Sequence, residues 1–552
     1  MKNISFSPAG YLFFCLLFCT LFVGMSFSPA EAQIRIFTKT LDAGVYDVAS
    51  SMTRTYDGGF AVAGATMSYG AGLTDIFISR FDRSGDHVWT RTLGGTGYDE
   101  VYSVWQSLNN ELLVTGSTTS YGAGGLDLIL SKFNSSGDLA WTKTLGGSGA
   151  DYGRSVIHTF DGGFVVTGAT SSYGAGNYDL LLSRFDTSGN RTWTRTLGGS
   201  DRECGFSVIQ TMDEGYVVTG YTRSYGAGSA DLILSKFNDA GTHLWTKTLG
   251  GIYDEEGRSV IETSDGSLVV TGYTRSYGAG SSDIIISKFT SSGTHVWSRT
   301  VGSTVYDYGH SVIEASDGSL ILAGSVSEYG AGSDDAALLK FGASGDLLWT
   351  KAIGGSSVDV AYSLAQAVDG GLLVAGYTQS YGAGNSCVLI SGFDCDGNGC
   401  SGVFVLPTVT AITPTVASRA PSLGSPIPTV TTPSPSVGIE VASMTTACET
   451  ETFAEDMPPA MTKPQVSAFR IGVASPVSSH ITANLSLLNA TAVNLTIYDV
   501  SGRMIGQPYR FSEMRAGNHT LEIPASHLKS GAYLIVLEGA GLREMVKVVK
   551  VR

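Results

Sequence analysis

From Phe37 to Cys400 the chain is written in short apolar runs of seven to nine residues, rich in Val, Ile, Leu and Thr and separated by small polar turns. One stretch shows the pattern: "DYGRSVIHT" from Asp151 and "GFVVTGATS" from Gly163 flank "FDGG", and "DLLLSRF" from Asp179 and "RTWTRTL" from Arg191 flank "DTSGN". β-branched and aromatic residues bounded by Asp, Asn and Gly predict strands and tight turns, so this stretch should form four antiparallel strands, A to D. "SYGAG" joins B to C, and "LGGSGA" joins D to the next A. No connection is long enough to hold a helix.

The pattern repeats. The tyrosines of the "SYGAG" segments are Tyr69, Tyr121, Tyr173, Tyr225, Tyr277, Tyr329 and Tyr381, each 52 residues after the last, and a Trp series from Trp89 to Trp349 keeps the same period. A four-stranded sheet cannot bury both of its faces alone, and seven such sheets stacked around an axis solve this as an all-β seven-bladed propeller. The array begins with a spare strand D ("RIFTKTL") and stops after a strand C ("CVLISGF"). Residues 34–41 are therefore expected to complete the seventh blade against Val388 to Phe393, turning an array into a closed ring.

These repeats resemble the bacterial seven-bladed β-propeller repeat family, akin to WD-repeat propellers, over residues 34 to about 400. The Trp slot in "DTSGNRTW" is similar to the tryptophan-docking motif of quinoprotein propellers, which implies a wedge between adjacent blades. Residues 401–465 change to Pro, Thr, Ser and Val and read as a disordered linker. Residues 466–552 regain strand patterns, expected as a small immunoglobulin-like β-sandwich. There "YDVSGR" from Tyr498, "AGNHT" from Ala516, "LKSGAY" from Leu528 and the basic end "KVVKVR" resemble the type IX secretion C-terminal sorting domain, although "ASPV" keeps only Pro476 of the usual opening motif. The resemblance implies delivery to the cell surface or medium, with outer-membrane secretion machinery as a partner.

The start agrees with export. Lys2, the apolar run "YLFFCLLFCTLFVGM" and the A-x-A pattern of Ala30 and Ala32 read as a signal peptide over residues 1–32. No later run could form a transmembrane helix. Thirty-four Lys and Arg against 49 Asp and Glu give a net charge of −15 without a basic cluster, which argues against nucleic acid. In an oxidising compartment Cys395 and Cys400, flanking the turn "DGNG", are close enough for a disulfide. No zinc spacing occurs, and the calcium-like "DCDGNG" has Val405 where a bidentate Glu is required, so neither metal nor cofactor is expected.

Strict repetition argues against catalysis, which needs one asymmetric constellation. His87, His243 and His295 share one repeated slot, and no nucleophile motif stands beside any histidine. One slot does vary. Two residues before the first apolar residue of strand A stand Ser50, Tyr102, Arg154, Phe206, Arg258, His310 and Tyr362. Aromatic and basic side chains at the channel mouth suit binding, although packing along blade edges would also explain them. The expected function is a non-catalytic binding, adhesion or scaffold module for an extracellular protein or glycan. The competing expectation is a polysaccharide hydrolase or lyase, which requires a unique carboxylate cluster.

Overall fold

A computed structural model of the protein describes residues 36–399 apart from 43–44, 108, 330–331, 368 and 383–384, together with Arg515 and the strands lying within 403–450 and 470–550. Each repeat forms the expected meander. In blade 3, strands A to D are Asp151–His158, Phe164–Thr170, Asp179–Phe185 and Arg191–Gly198, and they pair in that order. Strand B of this blade is buried at every position, because neighbouring sheets cover both faces. The core therefore lies between blades: Ile76, Ile78 and Leu93 of the first pack with Val104, Leu112, Val114 and Phe133 of the second.

The seventh blade takes Asp359–Gln366, Leu372–Thr378 and Cys387–Phe393 from its own repeat and Ile36–Asp42 as its D strand. The register runs from Phe37 opposite Gly392 to Leu41 opposite Val388. Phe37 and Leu41 are buried with Leu373 and Val388 of that blade and with Met52, Phe60 and Phe81 of the first. The ring is closed by strand exchange.

The Trp series wedges between blades through a steric fit. Trp141 of blade 2 lies against the C–D turn of blade 3, where Gly189 has φ +77° and a Cβ built on it would stand 2.9 Å from the indole. Trp89, Trp193, Trp245, Trp297 and Trp349 meet Gly137, Gly241, Gly293, Gly345 and Gly397 in the same way, and Phe37 meets Gly85 at the closing junction. Only glycine combines that backbone angle with that approach. The guanidinium of Arg195 also lies 5.3 Å from the Trp193 ring, adding a cation–π contact.

Strands also lie within the stretch expected as a linker. Val403–Phe404, Thr408–Ile412, Thr415–Arg419, Ser422–Gly424, Thr429–Thr431, Ser436–Glu440 and Ser443–Thr450 are strands, each paired antiparallel to the D strand of a different blade. The physical reason is the outer edge: a D strand without a neighbour presents unpaired N–H and C=O groups, and an extended Thr/Val segment can satisfy them. Two compact units result, Met1–Phe453 and Ala454–Arg552, so the boundary falls inside the stretch expected to be linker. In the second unit Arg470–Val473, His480–Leu487 and Gly517–Pro524 form one sheet. Tyr509–Met514, Thr491–Asp499, Gly531–Gly539 and Leu542–Lys550 form another, with Leu495 and Ile497 buried. The expected signal peptide lies outside the described residues.

The indole contact sets a graded cost for glycine replacement. Gly266, at φ +78°, has nothing within 4 Å of a built Cβ, so Gly266→Ala carries only the left-handed backbone cost of about 1–2 kcal/mol. Gly189→Ala adds displacement of Trp141 and is expected to lower the thermal midpoint by at least twice as much. Equal midpoints for the two variants would show that the indole does not hold the blades.

Candidate binding site at the channel mouth

Every strand A carries a β-bulge at the same place. In blade 3 Gly153 pairs with Gly168 and Ser155 with Thr167, leaving Arg154 as the extra residue, and the register jumps identically in the other six blades. A bulge re-aims one side chain without ending the strand. The extra residues are Ser50, Tyr102, Arg154, Phe206, Arg258, His310 and Tyr362, and all seven line one cavity of about 420 Å³ on the axis. The cavity also reaches Tyr46, Val48, Ala65 and Glu100, at the start of strand A and the end of strand B, which is the side of the "SYGAG" loops.

The serine that follows each bulge fastens the ring from within. Oγ of Ser51, Ser103, Ser155, Ser207 and Ser259 accepts from the amide of Val104, Val156, Val208, Val260 and Val312 in the next blade at 3.1–3.3 Å. Across the closure, the Met52 amide donates to Ser363 Oγ at 3.0 Å. The variable side chains thus stand on a fixed support.

Those side chains form an aromatic–cation series. The Arg154 guanidinium lies 3.9 Å from the Tyr102 ring centroid and 5.8 Å from that of Phe206, and Arg258 lies 4.4 Å from Phe206. His310 meets Tyr362 edge to face at 4.8 Å, and Tyr362 lies 5.9 Å from Tyr377. Arg258 is ion-paired with Glu256 at 2.6 Å. Arg154 has no ion pair among the described residues, and its buried Nε lacks a hydrogen-bond partner. The Tyr102 hydroxyl donates to Glu100. Burial pushes Tyr102 up to about 12, while burial and then the Arg258 charge hold His310 down to about 3. At neutral pH the mouth therefore presents guanidinium charge beside a neutral imidazole and neutral phenols.

Residues outside the varying slot complete the site: Glu100, Tyr152, Glu256 and Tyr273 stand two residues before a bulge or on the neighbouring strand, with Arg154 5.4 Å from Tyr152 and Arg258 5.7 Å from Tyr273. Sequence reasoning missed them. The slot of Glu100, Tyr152 and Glu256, two before the bulge, also varies between blades and was the available signal.

The repeated groups outside the bulge slot are engaged within and between the blades. Hydroxyls of Tyr173, Tyr225, Tyr277, Tyr329 and Tyr381 donate to Gly146, Gly198, Gly250, Gly302 and Gly354 carbonyls of the preceding blade at 2.6–2.8 Å. Asp75, Asp127, Asp179, Asp231, Asp283 and Asp335 accept from amides of their own "SYGAG" loops at 3.0–3.2 Å. His87, His243 and His295 hydrogen-bond Thr90, Thr246 and Ser298. The Asp394 carboxylate accepts from the Asp396 and Asn398 amides in the turn that follows strand C of the seventh blade. Among the described residues no group of three or more His, Cys, Asp or Glu is placed to hold a metal. Cys395 is exposed, and the disulfide expected with Cys400 involves a residue outside the described set.

Carboxylates in this loop layer face one another across six of the seven junctions, as Asp283 and Asp307 do beside Gly302, while the seventh has Cys387 in the strand-C slot. Asp307 accepts from the Ser303 and Ser327 amides at 2.5 and 2.9 Å, yet burial, reinforced by the Asp283 charge, pushes its pKa up to about 6. A raised carboxyl favours the folded state when protonated. Its contribution is full below about pH 4 and is lost as pH rises through about 6. Measured against Asp307→Asn, the wild-type melting temperature should fall by several degrees between pH 4 and pH 7. A constant difference would contradict the burial argument.

Comparison with known proteins reaches both units. Residues 475–551 match the family described as the secretion system C-terminal sorting domain, and 263–294 and 315–347 match a domain of unknown function (DUF5122) described as a beta-propeller. "Regulatory protein FlaEY" of Caulobacter vibrioides is 28% identical over 254 residues, covering 37% of this chain and 27% of that protein. The chain thus spans little more than a quarter of that curated relative. The crystal structure of Sqt1 from Chaetomium thermophilum is 13% identical, with a TM-score of 0.34 over 65% of this chain and 98% of that one.

Proposed function

Because the chain is a seven-bladed β-propeller ending in a type IX secretion sorting domain, and so reaches the outer surface or the medium, we propose that it is a non-catalytic binding module whose contact surface is the channel mouth. The carrying observation is Arg154: a guanidinium stacked on Tyr102, without an ion pair among the described residues, on the wall of the axial cavity. A group already flanked by aromatic faces, with Glu100 nearby but no carboxylate at ion-pairing distance among the described residues, can take an external anion. The ligand is a carboxylate or comparable anion carried by an extracellular protein or glycan. The non-catalytic reading draws support from Glu100, which is engaged by Tyr102. The competing hydrolase reading lacks a facing carboxylate pair among the described residues of the cavity. Export begins with the signal peptide over 1–32, and the sorting domain engages the secretion machinery.

An array of carboxylated and sulfated glycans and acidic peptides tests the ligand class. Arg154→Ala should weaken capture of the acidic probes at least ten-fold, and raised salt should weaken it in the wild type. Since His310 is neutral across the range, affinity should show no transition near pH 6.5. Unchanged capture by Arg154→Ala would remove the channel mouth as the contact surface.

Export is tested separately, by removing Ala454–Arg552 while keeping the first unit whole. The shortened chain should fold and stay in the periplasm, with the intact chain at the surface or in the medium. Equal delivery of both on cell fractionation would show that the tail is not the address.

A further inference from the structure

The seven strands that ring the outside obey a rule that neither composition nor chance accounts for. Gly302, Gly250, Gly198, Gly146, Gly94 and Asp42, which recur every 52 residues, stand opposite Thr408, Thr415, Ser422, Thr429, Ser436 and Ser443, which recur every 7. The remaining blade, with Ala352 opposite Val403, keeps the same frame. The sequence carries this period on its own: Pro407, Pro414, Pro421, Pro428 and Pro435 are also seven apart, each directly before a Ser or Thr. The residue after that hydroxyl is Val409, Val416, Leu423, Val430, Val437 or Met444, in register with Val301, Leu249, Leu197, Leu145, Leu93 or Leu41.

We propose that residues 401–450 are a belt: a second repeat, one heptad per blade, whose docking surface is the row of D-strand edges and whose last heptad locks the strand that closes the ring. Proline has no N–H to give a ladder, and in the sequence each of these prolines stands directly before the first residue of a belt strand, at Thr408, Thr415, Ser422, Thr429 and Ser436. The belt strands are antiparallel to their D strands and take the blades in the reverse of chain order. The belt accordingly meets the sixth blade first, descends to the first, and finishes on the seventh.

Its grip is strongest where the ring is weakest. The belt strands pair two to five residues of the other blades, but Ser443–Thr450 pairs all of Ile36–Asp42. That closing strand is the one D strand not joined to its blade by a hairpin turn. It is now held on both edges, by Val388 to Gly392 on one side and by the belt on the other. The last heptad has no partner until the closing strand has docked, so the belt is completed only on a closed ring. Without the belt, seven outer edges would be open to strand addition from another copy.

Two experiments on the full-length chain decide this. In the first, Thr300→Cys with Thr410→Cys, an in-register pair, is compared with Thr300→Cys and Ala417→Cys, whose second residue belongs opposite Thr248 on another blade. With a short thiol–thiol crosslinker and peptide mapping to separate native thiols, the first pair should crosslink at least ten-fold more than the second. Equal yields, or no crosslink in either, overturn the belt. In the second, Thr445→Pro and Ala447→Pro interrupt the last heptad. Amides of Ile36–Asp42 should then exchange with deuterium at least ten-fold faster, with protection retained in Asp179–Phe185 of the third blade. Unchanged exchange at the closing strand overturns the lock.

Discussion

A small twisted sheet whose two faces are both apolar has no stable existence alone, and everything in this ring depends on each blade covering the next. The contact between an indole and the glycine turn of the following blade expresses that dependence most economically. The turn requires a positive φ, the indole requires the absence of a Cβ, and one residue type meets both demands. Where the series runs out at the start of the array, Phe37 takes the indole's place against Gly85, so the closing junction is built like the others.

Uniform contacts between blades leave the bulge slot free to differ. The serine after each bulge fixes the backbone to the neighbouring blade, and the Tyr and Asp residues of the loops are occupied with carbonyls and amides. A change at the bulge position alters the cavity wall without disturbing the blade interface. The cavity wall and the contact between blades are thereby assigned to adjacent residues of one strand, with the bulge as the device that separates them. The stack of Tyr102, Arg154, Phe206 and Arg258 is what four successive blades have placed in that slot.

Repetition made the ring and its closure legible. An in-phase Trp slot, a spare strand D at one end and a missing one at the other left a single topology, and the varying slot pointed to the mouth because sameness elsewhere made difference visible. The bulge itself was not legible, since an extra residue in a strand leaves no mark on composition. Nor were Glu100, Tyr152 and Glu256, which gain their importance from the arginines across the bulge. The outer strands were hidden for the opposite reason. Pro, Thr and Ser in abundance read as a chain that cannot build a core, and these residues build none; they borrow edges from strands hundreds of positions away, which no local pattern reveals.

The pairing of a 52-residue period with a 7-residue period has a consequence for how such a chain can change through time. Propellers readily gain or lose whole blades by duplication and deletion, because each unit touches only its neighbours. Here a duplicated blade would leave the outer wrapping one heptad short, and its end would no longer arrive at Ile36–Asp42. A deleted blade would leave one heptad too many. Every outer edge stays paired only when the two arrays change size together, so the wrapping keeps a tally of the blades in the ring.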